Sequence, residues 1–268
     1  MFDIAAQIAE NVARVRGRIA GAARRSGRSV DAVRLVAVTK YVSAESVRPL
    51  VEAGCCDLGE SRPQQLWEKA SQLADLPIRW HLIGPLQRNK VRRTLPLVAM
   101  IHSVDSPRLL AAIDEEWRNC SRPGDASVIL SAAKDLVLGG DATEILRCDQ
   151  DDGCPILLEV HISGEATKHG FAPAEIEPLL AKAADCRHVS IRGLMGIASL
   201  DGGLDVARRE FAALRELRDR LRVNCPPGVT LDELSMGMSG DFEAAIEEGA
   251  TIVRVGSALF EGVEGSRQ

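Results

Sequence analysis

The chain has 268 residues, enough for one large barrel or two ordinary domains. Hydrophobic residues make up 46% and aromatics 3%, so the core must be aliphatic and few rings are available for stacking bases. A net charge of −5 argues against nucleic-acid or anionic-membrane partners drawn in by bulk electrostatics and points to small molecules.

At the N-terminus Ile4, Ile8, Val12, Val15 and Ile19 recur at helical spacing and predict an amphipathic helix. Asp3 and Glu10 set this helix apart from an Arg-rich transit segment, and no stretch approaches the ~18 apolar residues of a spanning helix. The seven cysteines, Cys55, Cys56, Cys120, Cys148, Cys154, Cys186 and Cys225, show no C-x-x-C spacing and are odd in number. Neither a disulfide framework nor a zinc site follows from them, so a reducing, cytoplasmic setting is expected.

Beyond the first helix, apolar or β-branched runs recur at 33–39, 55–58, 79–83, 98–102, 156–161, 189–195, 231–234 and 251–255. Helix-forming segments separate them, among them 44–53, 106–118 and 204–222, the last stopped before Cys225-Pro226-Pro227. This rhythm predicts an α/β fold: a (β/α)8 barrel as one domain over 1–268, with an additional N-terminal helix. An open doubly wound sheet is the rival. It calls for a Gly-rich turn after its first strand, where this chain has Thr39-Lys40-Tyr41-Val42. Residues 121–154 break the rhythm, since a helix-to-strand link usually takes ~2–6 residues. They resemble translated interspersed repeats and are expected to be an insertion on the face opposite the site, with no part in the chemistry.

Barrel enzymes carry their sites at the carboxyl ends of the strands. The first strand, VRLVAVTK, finishes in Lys40, and alternation places that lysine on the interior face with Val36 and Val38. An ammonium there must be paired, neutralised or converted to an imine, unless it simply marks the strand end and reaches water. The last two strand ends favour a ligand. Strand seven runs into Ser235-Met236-Gly237-Met238-Ser239-Gly240-Asp241 and strand eight into Gly256-Ser257-Ala258, small-residue loops where barrels bind phosphate. A Schiff-base lysine beside a phosphate clamp leaves a pyridoxal phosphate protein or a sugar-phosphate aldolase. Arg254 shares a face with Ile252 and Gly256. It can present donors to a pyridine nitrogen, or alternatively pair with a carboxylate such as Glu60.

The runs VRLVAVTK, LGES, RWHLIGPLQRNK, MIHSVDS, SGEATKHG, IRGLM and LSMGMSGDFEAAIEEGATIVRVGSALF occur in order over nearly the whole chain outside 121–154. In them the sequence resembles the pyridoxal phosphate homeostasis protein family. The resemblance implies a fold-type-III barrel like the N-terminal domain of alanine racemase, with pyridoxal 5′-phosphate on Lys40. It also implies that Ser235, Met236, Ser239, Gly256 and Ser257 surround the phosphate, and that Arg254 faces the pyridine nitrogen. The implied role is a carrier that buffers the cofactor, with no catalytic residues of its own; a monomer, with apo enzymes as receivers of the cofactor, is the expectation set beside it. Racemization is the alternative function. It asks for a second base, whereas the one tyrosine, Tyr41, alternates away from Lys40. Two positions depart from the family pattern: Ser61 stands where an asparagine is usual, and Pro85 replaces a polar residue. Lys168 and His169 match a loop that lines the mouth or is a solvated turn. Arg88, Lys90, Arg92 and Arg93 are expected on a solvated face.

Overall fold

In the computed structural model, which describes residues 3–120, 153–163, 170–183, 186–199, 202–226 and 228–263, eight parallel strands close into a barrel in chain order. They are β1 (Arg34–Val38), β2 (Asp57–Glu60), β3 (Arg79–Leu82), β4 (Val98–Val104), β5 (Cys154–Glu159), β6 (Val189–Met195), β7 (Val229–Ser235) and β8 (Ile252–Val255). Closure comes from β8 lying parallel against β1, with Val36 beside Arg254 and Ala37 beside Val255. An open sheet would leave its two edges unpaired, so the doubly wound alternative falls.

Among the described residues, seven helices follow the first seven strands in turn: α2 (Ala44–Glu52), α3 (Pro63–Gln72), α4 (Val91–Thr94), α5 (Pro107–Cys120), α6 (Pro173–Ala183), α7 (Gly203–Arg222) and α8 (Phe242–Glu247). After β8 the described chain holds only a 3₁₀ turn, Ser257–Leu259. The gap is filled from the other terminus. Helix α1 (Ile4–Arg25) packs against α2, α8 and that turn, burying Ile8, Val12, Val15 and Ile19. Each such side chain contributes about 1.5–3 kcal/mol of transfer energy. The Asp3 carboxylate caps α1 by accepting from the N–H groups of Ala5 and Ala6. Buried Asn11 ties the helix to the chain beyond β8, donating to the carbonyls of Leu259 (3.2 Å) and Glu261 (2.9 Å).

The core has two shells. A large aliphatic one lies between barrel and helices, and a small one inside the barrel holds Val36, Met100, Leu157, Met195 and Ile252. The inner shell leaves room for polar side chains, which occupy the rest of the interior. Strands β6 and β7 approach so closely that a Cβ on Gly193 would sit 1.8 Å from the Glu233 carbonyl oxygen, so only glycine fits.

The second strand lies two residues later than its apolar signal at 55–58, and spans Asp57–Glu60. Both end residues are charged, but each is paired: Asp57 with Arg79 and Glu60 with Lys69. The strand therefore tolerates what hydrophobic pattern alone would not place there. Strand β5 begins at Cys154, ahead of the apolar run at 156–161. Most of the expected insertion, 121–152, lies outside the described residues, as do Lys168 and His169. Among the described residues no helix is long and apolar enough to cross a membrane, and Cys55, Cys56, Cys154, Cys186 and Cys225 are free thiols.

Candidate functional site at the carboxyl ends of the strands

Lys40 is not the last residue of β1 but lies in the turn beyond it, half-exposed, with Nζ 4.8 Å from the centre of the Tyr41 ring. The expected burial of this side chain in the packed interior is corrected by one feature, the end of β1 at Val38. What is fixed is the backbone just before it. Thr39 N–H donates to the Gly59 carbonyl (3.0 Å), its hydroxyl donates to Glu60 Oε1 (2.7 Å), and its carbonyl accepts from Lys69 Nζ (2.6 Å). Lys69 also donates to Glu60 Oε1 at 2.5 Å, and the Glu60 side chain is fully buried. Glu60 thus belongs to Lys69 and Thr39, not to Arg254. This clamp under α3 anchors the turn that presents Lys40.

Arg254 points into the barrel, as alternation with Ile252 requires, and is 4% exposed. Its Nη1 donates to Ser235 Oγ (2.6 Å) and its Nη2 to the Gly196 carbonyl (2.9 Å), linking the ends of β6, β7 and β8. Burial lowers its pKa to about 10, with the charges of Glu159 and Asp241 opposing, so it stays a cation at neutral pH. A guanidinium has about five N–H donors and these two bonds engage two of them, which leaves a buried cation with donors to spare.

The two small-residue loops are stitched together by Ser239, whose Oγ accepts from Gly256 N–H (3.1 Å) and Ala258 N–H (3.5 Å). Its own proton remains for another acceptor. Gly237 has φ +91°, and a Cβ there would stand 2.6 Å from that of Ala245, so the loop after β7 can fold this tightly only on glycine. Asp241 closes the loop by accepting from Met238 N–H at 2.6 Å. Burial raises the Asp241 pKa, while the bond from Met238 and the charge of Arg254 work against that. Met236 is fully buried beneath the loop and Ser257 is exposed at the mouth. Gly256 and Ser257 directly follow β8, the strand paired with β1, and so lie beside the turn that carries Lys40.

Sequence reasoning placed Ser235 by the phosphate but assigned no role to the side chains behind it. Fully buried Ser235 is 2.8 Å from His102 Nδ1; His102 Nε2 is 2.9 Å from His81 Nδ1; and His81 Nε2 is 3.0 Å from Asp57 Oδ1. Arg79 closes the far end on Asp57, through Nε at 2.9 Å and Nη2 at 2.5 Å. The only local signal was a histidine inside each of two strands, β3 and β4. The cluster Arg88, Lys90, Arg92 and Arg93 is solvated as expected, with Arg93 lying over the Trp67 ring at 4.2 Å.

A closed parallel barrel with an amine, a buried cation and two glycine-serine loops at one mouth defines a protein of the alanine racemase type. A profile of the alanine racemase N-terminal domain matches residues 5–263. The chain belongs to this family and, within it, to the pyridoxal phosphate homeostasis proteins. The relative of that name from Pseudomonas aeruginosa is 38% identical over 256 residues, 94% of each chain, and the one from Aquifex aeolicus 36% over 251, 94% of this chain and 96% of that one. PipY of Synechococcus elongatus, solved with PLP bound, superposes with a TM-score of 0.73 at 31% identity, covering 94% of this chain and 99% of that one. Alanine racemase of Corynebacterium glutamicum shares the fold, with a TM-score of 0.61 at 16% identity over 97% of this chain and 62% of that one.

Proposed function

We propose that this protein binds pyridoxal 5′-phosphate at the barrel mouth through a Schiff base on Lys40, and that it carries or buffers the cofactor. The observation that carries the reading is Arg254, a buried cation with unused donors on β8, the strand that pairs with β1 and runs into one of the glycine-serine loops. The donor set suits the cofactor at each end. Ser239, Gly256 and Ser257, over buried Met236, offer hydroxyl and N–H groups to a phosphate, and Arg254 offers an N–H to a pyridine nitrogen. Bound there, pyridoxal 5′-phosphate supplies an aldehyde that condenses with a primary amine and releases water.

The residues themselves favour holding over turnover. Because Arg254 can only donate, it keeps a ring nitrogen facing it unprotonated and so weakens the cofactor as an electron sink. Tyr41, the one tyrosine, adjoins Lys40 and is 59% exposed, so it does not face the amine across the mouth as a second base would. The fold, the name of the relatives and the PLP-bound neighbour support the same reading. Apo pyridoxal-phosphate enzymes would be the receivers, and the carrier itself would act as a monomer in the cytoplasm.

The test is the visible spectrum of the purified protein with the cofactor, before and after borohydride, with peptide mapping of the labelled lysine. Label on Lys40, and loss of the yellow band in Lys40→Ala at unchanged folding, is the expected result. A Lys40→Ala spectrum like the parent's would overturn the assignment. Incubation with L- and D-amino acids in deuterated water tests the carrier half, and α-proton exchange at the ~1–10³ s⁻¹ of enzymes would refute it.

A further inference from the structure

We propose that His102 and His81 are positioning residues for Arg254: as neutral Nε2–H imidazoles ordered by Asp57, they make Ser235 donate to His102 and accept from Arg254. The inference extends the cofactor reading above and rests on it for what Arg254 meets.

The polarity follows link by link. Asp57 is engaged as a carboxylate by both arms of Arg79, so it only accepts, and His81 Nε2 at 3.0 Å must carry the hydrogen. A neutral imidazole has one N–H, which leaves His81 Nδ1 bare. His102 Nε2, 2.9 Å away, is then the donor, and its own Nδ1 is bare in turn. The Ser235 hydroxyl, 2.8 Å from that nitrogen, must give up its single proton there. Its lone pairs take the N–H of Arg254 at 2.6 Å. The chain crosses the whole interior, from Arg79 at the amino end of β3, half-exposed, to Arg254 at the mouth.

Neutrality is what the surroundings favour. His102 is fully buried, and burial followed by the charges of His81 and Arg254 holds its pKa well below the usual value. For His81 burial outweighs the opposing bond and charge of Asp57. A charged His81 would reverse the two links beyond it, because its Nδ1–H would donate to His102, whose Nδ1–H would then donate to Ser235. The two states give Ser235 opposite duties. In the neutral one it has no proton for a phosphate and serves the guanidinium instead, which moves it from the phosphate end of the site to the ring end.

The experiment is ¹⁵N NMR of histidine-labelled protein at pH 7.5, with and without pyridoxal 5′-phosphate, paired with cofactor titrations of His102→Leu and His102→Gln. Five histidines make the spectrum assignable by single substitution. Both His81 and His102 are expected as neutral Nε2–H tautomers. An Nδ1–H tautomer at His102 or a charged His81 would overturn the proposal. His102→Leu, which strips Ser235 of its acceptor, should weaken cofactor binding about tenfold, and His102→Gln, which can still accept, by no more than about threefold. Equal loss in both variants at unchanged melting temperature would refute positioning through the hydrogen bond. The cofactor-free spectrum does not depend on the ligand, so failure of borohydride to label Lys40 would sink the cofactor reading while leaving the tautomer result standing.

Discussion

Replacing Lys69 with alanine removes the cation that sits under the turn carrying Lys40. The fully buried Glu60 side chain would keep only the Thr39 hydroxyl on Oε1, since its Oε2 already lacks a partner, and the Thr39 carbonyl would lose its 2.6 Å donor. Breaking one side of a buried ion pair costs about 3–5 kcal/mol. For a chain somewhat larger than 250 residues each kcal/mol lowers the melting temperature by roughly 2–4 °C, so a fall on the order of 6–20 °C is expected. The assay is a urea and thermal melt of Lys69→Ala, Glu60→Leu and the double variant. The double variant, which leaves no uncompensated charge, should be less destabilised than Lys69→Ala alone. A loss below about 1 kcal/mol in Lys69→Ala would refute the claim that this pair is a closed, dry clamp, because that is the range of solvated pairs.

The remaining expectations are simpler. Gly193→Ala should yield insoluble or unfolded protein, because its Cβ would fall 1.8 Å from a backbone oxygen of β7 that cannot swing aside; soluble protein with an unchanged melt would contradict the close approach. Deleting 121–153 and joining the helix to Cys154 should preserve cofactor binding measured by absorbance, since Cys154 is the amino end of β5, the end of the strand opposite the mouth. Stability should fall as pH drops below about 6.5, the unfolded histidine value, because His81 and His102 resist protonation in the fold and the unfolded chain therefore binds more protons. Asp57, held below the usual carboxylate range by His81 and Arg79 against the effect of burial, adds a further loss below about pH 4. The groups facing the pair are Asp57, Arg79, Arg34 and Arg254. A flat melting temperature between pH 7 and 5 would contradict the neutral pair.

The barrel was legible because its signal is periodic and local. Eight runs spaced by helix formers gave all eight strands, and β6 matches its run at 189–195 end to end. The inward direction of Arg254 was also local, following from alternation with Ile252. Lys40 was harder, since alternation fixes direction only while the strand continues, and β1 stops at Val38. The Asp57–His81–His102–Ser235 chain was not legible at all. Its members come from β2, β3, β4 and β7; the first three are neighbours whose register no sequence pattern gives, and Ser235 of β7 reaches His102 of β4 only because the sheet curls into a barrel. Lys69 escaped notice for a related reason: a lysine on α3 reads as a solvated helix residue until its side chain is seen to turn under the helix to Glu60.

These two buried networks divide the work of the mouth between its halves. On the β1–β2 side the Lys69–Glu60–Thr39 clamp fixes the backbone next to Lys40 but leaves the amine half-exposed, so this nitrogen is presented without being sealed in. On the β6–β8 side the guanidinium of Arg254 is held at both terminal nitrogens and shielded from water. A buried polar group costs about 1–3 kcal/mol when left unmatched, so a histidine chain in a barrel interior is tolerable only when every link is made. That requirement gives Arg254 a fixed direction. On the proposed reading, a held cation and a half-exposed amine would grip a flat anionic aldehyde by its ring while letting the covalent bond form and reverse at the open side. Release to a receiver would then be governed by water and amines reaching Lys40, and substitutions along the His81–His102 chain should change how tightly the ring is held more than how fast the amine exchanges.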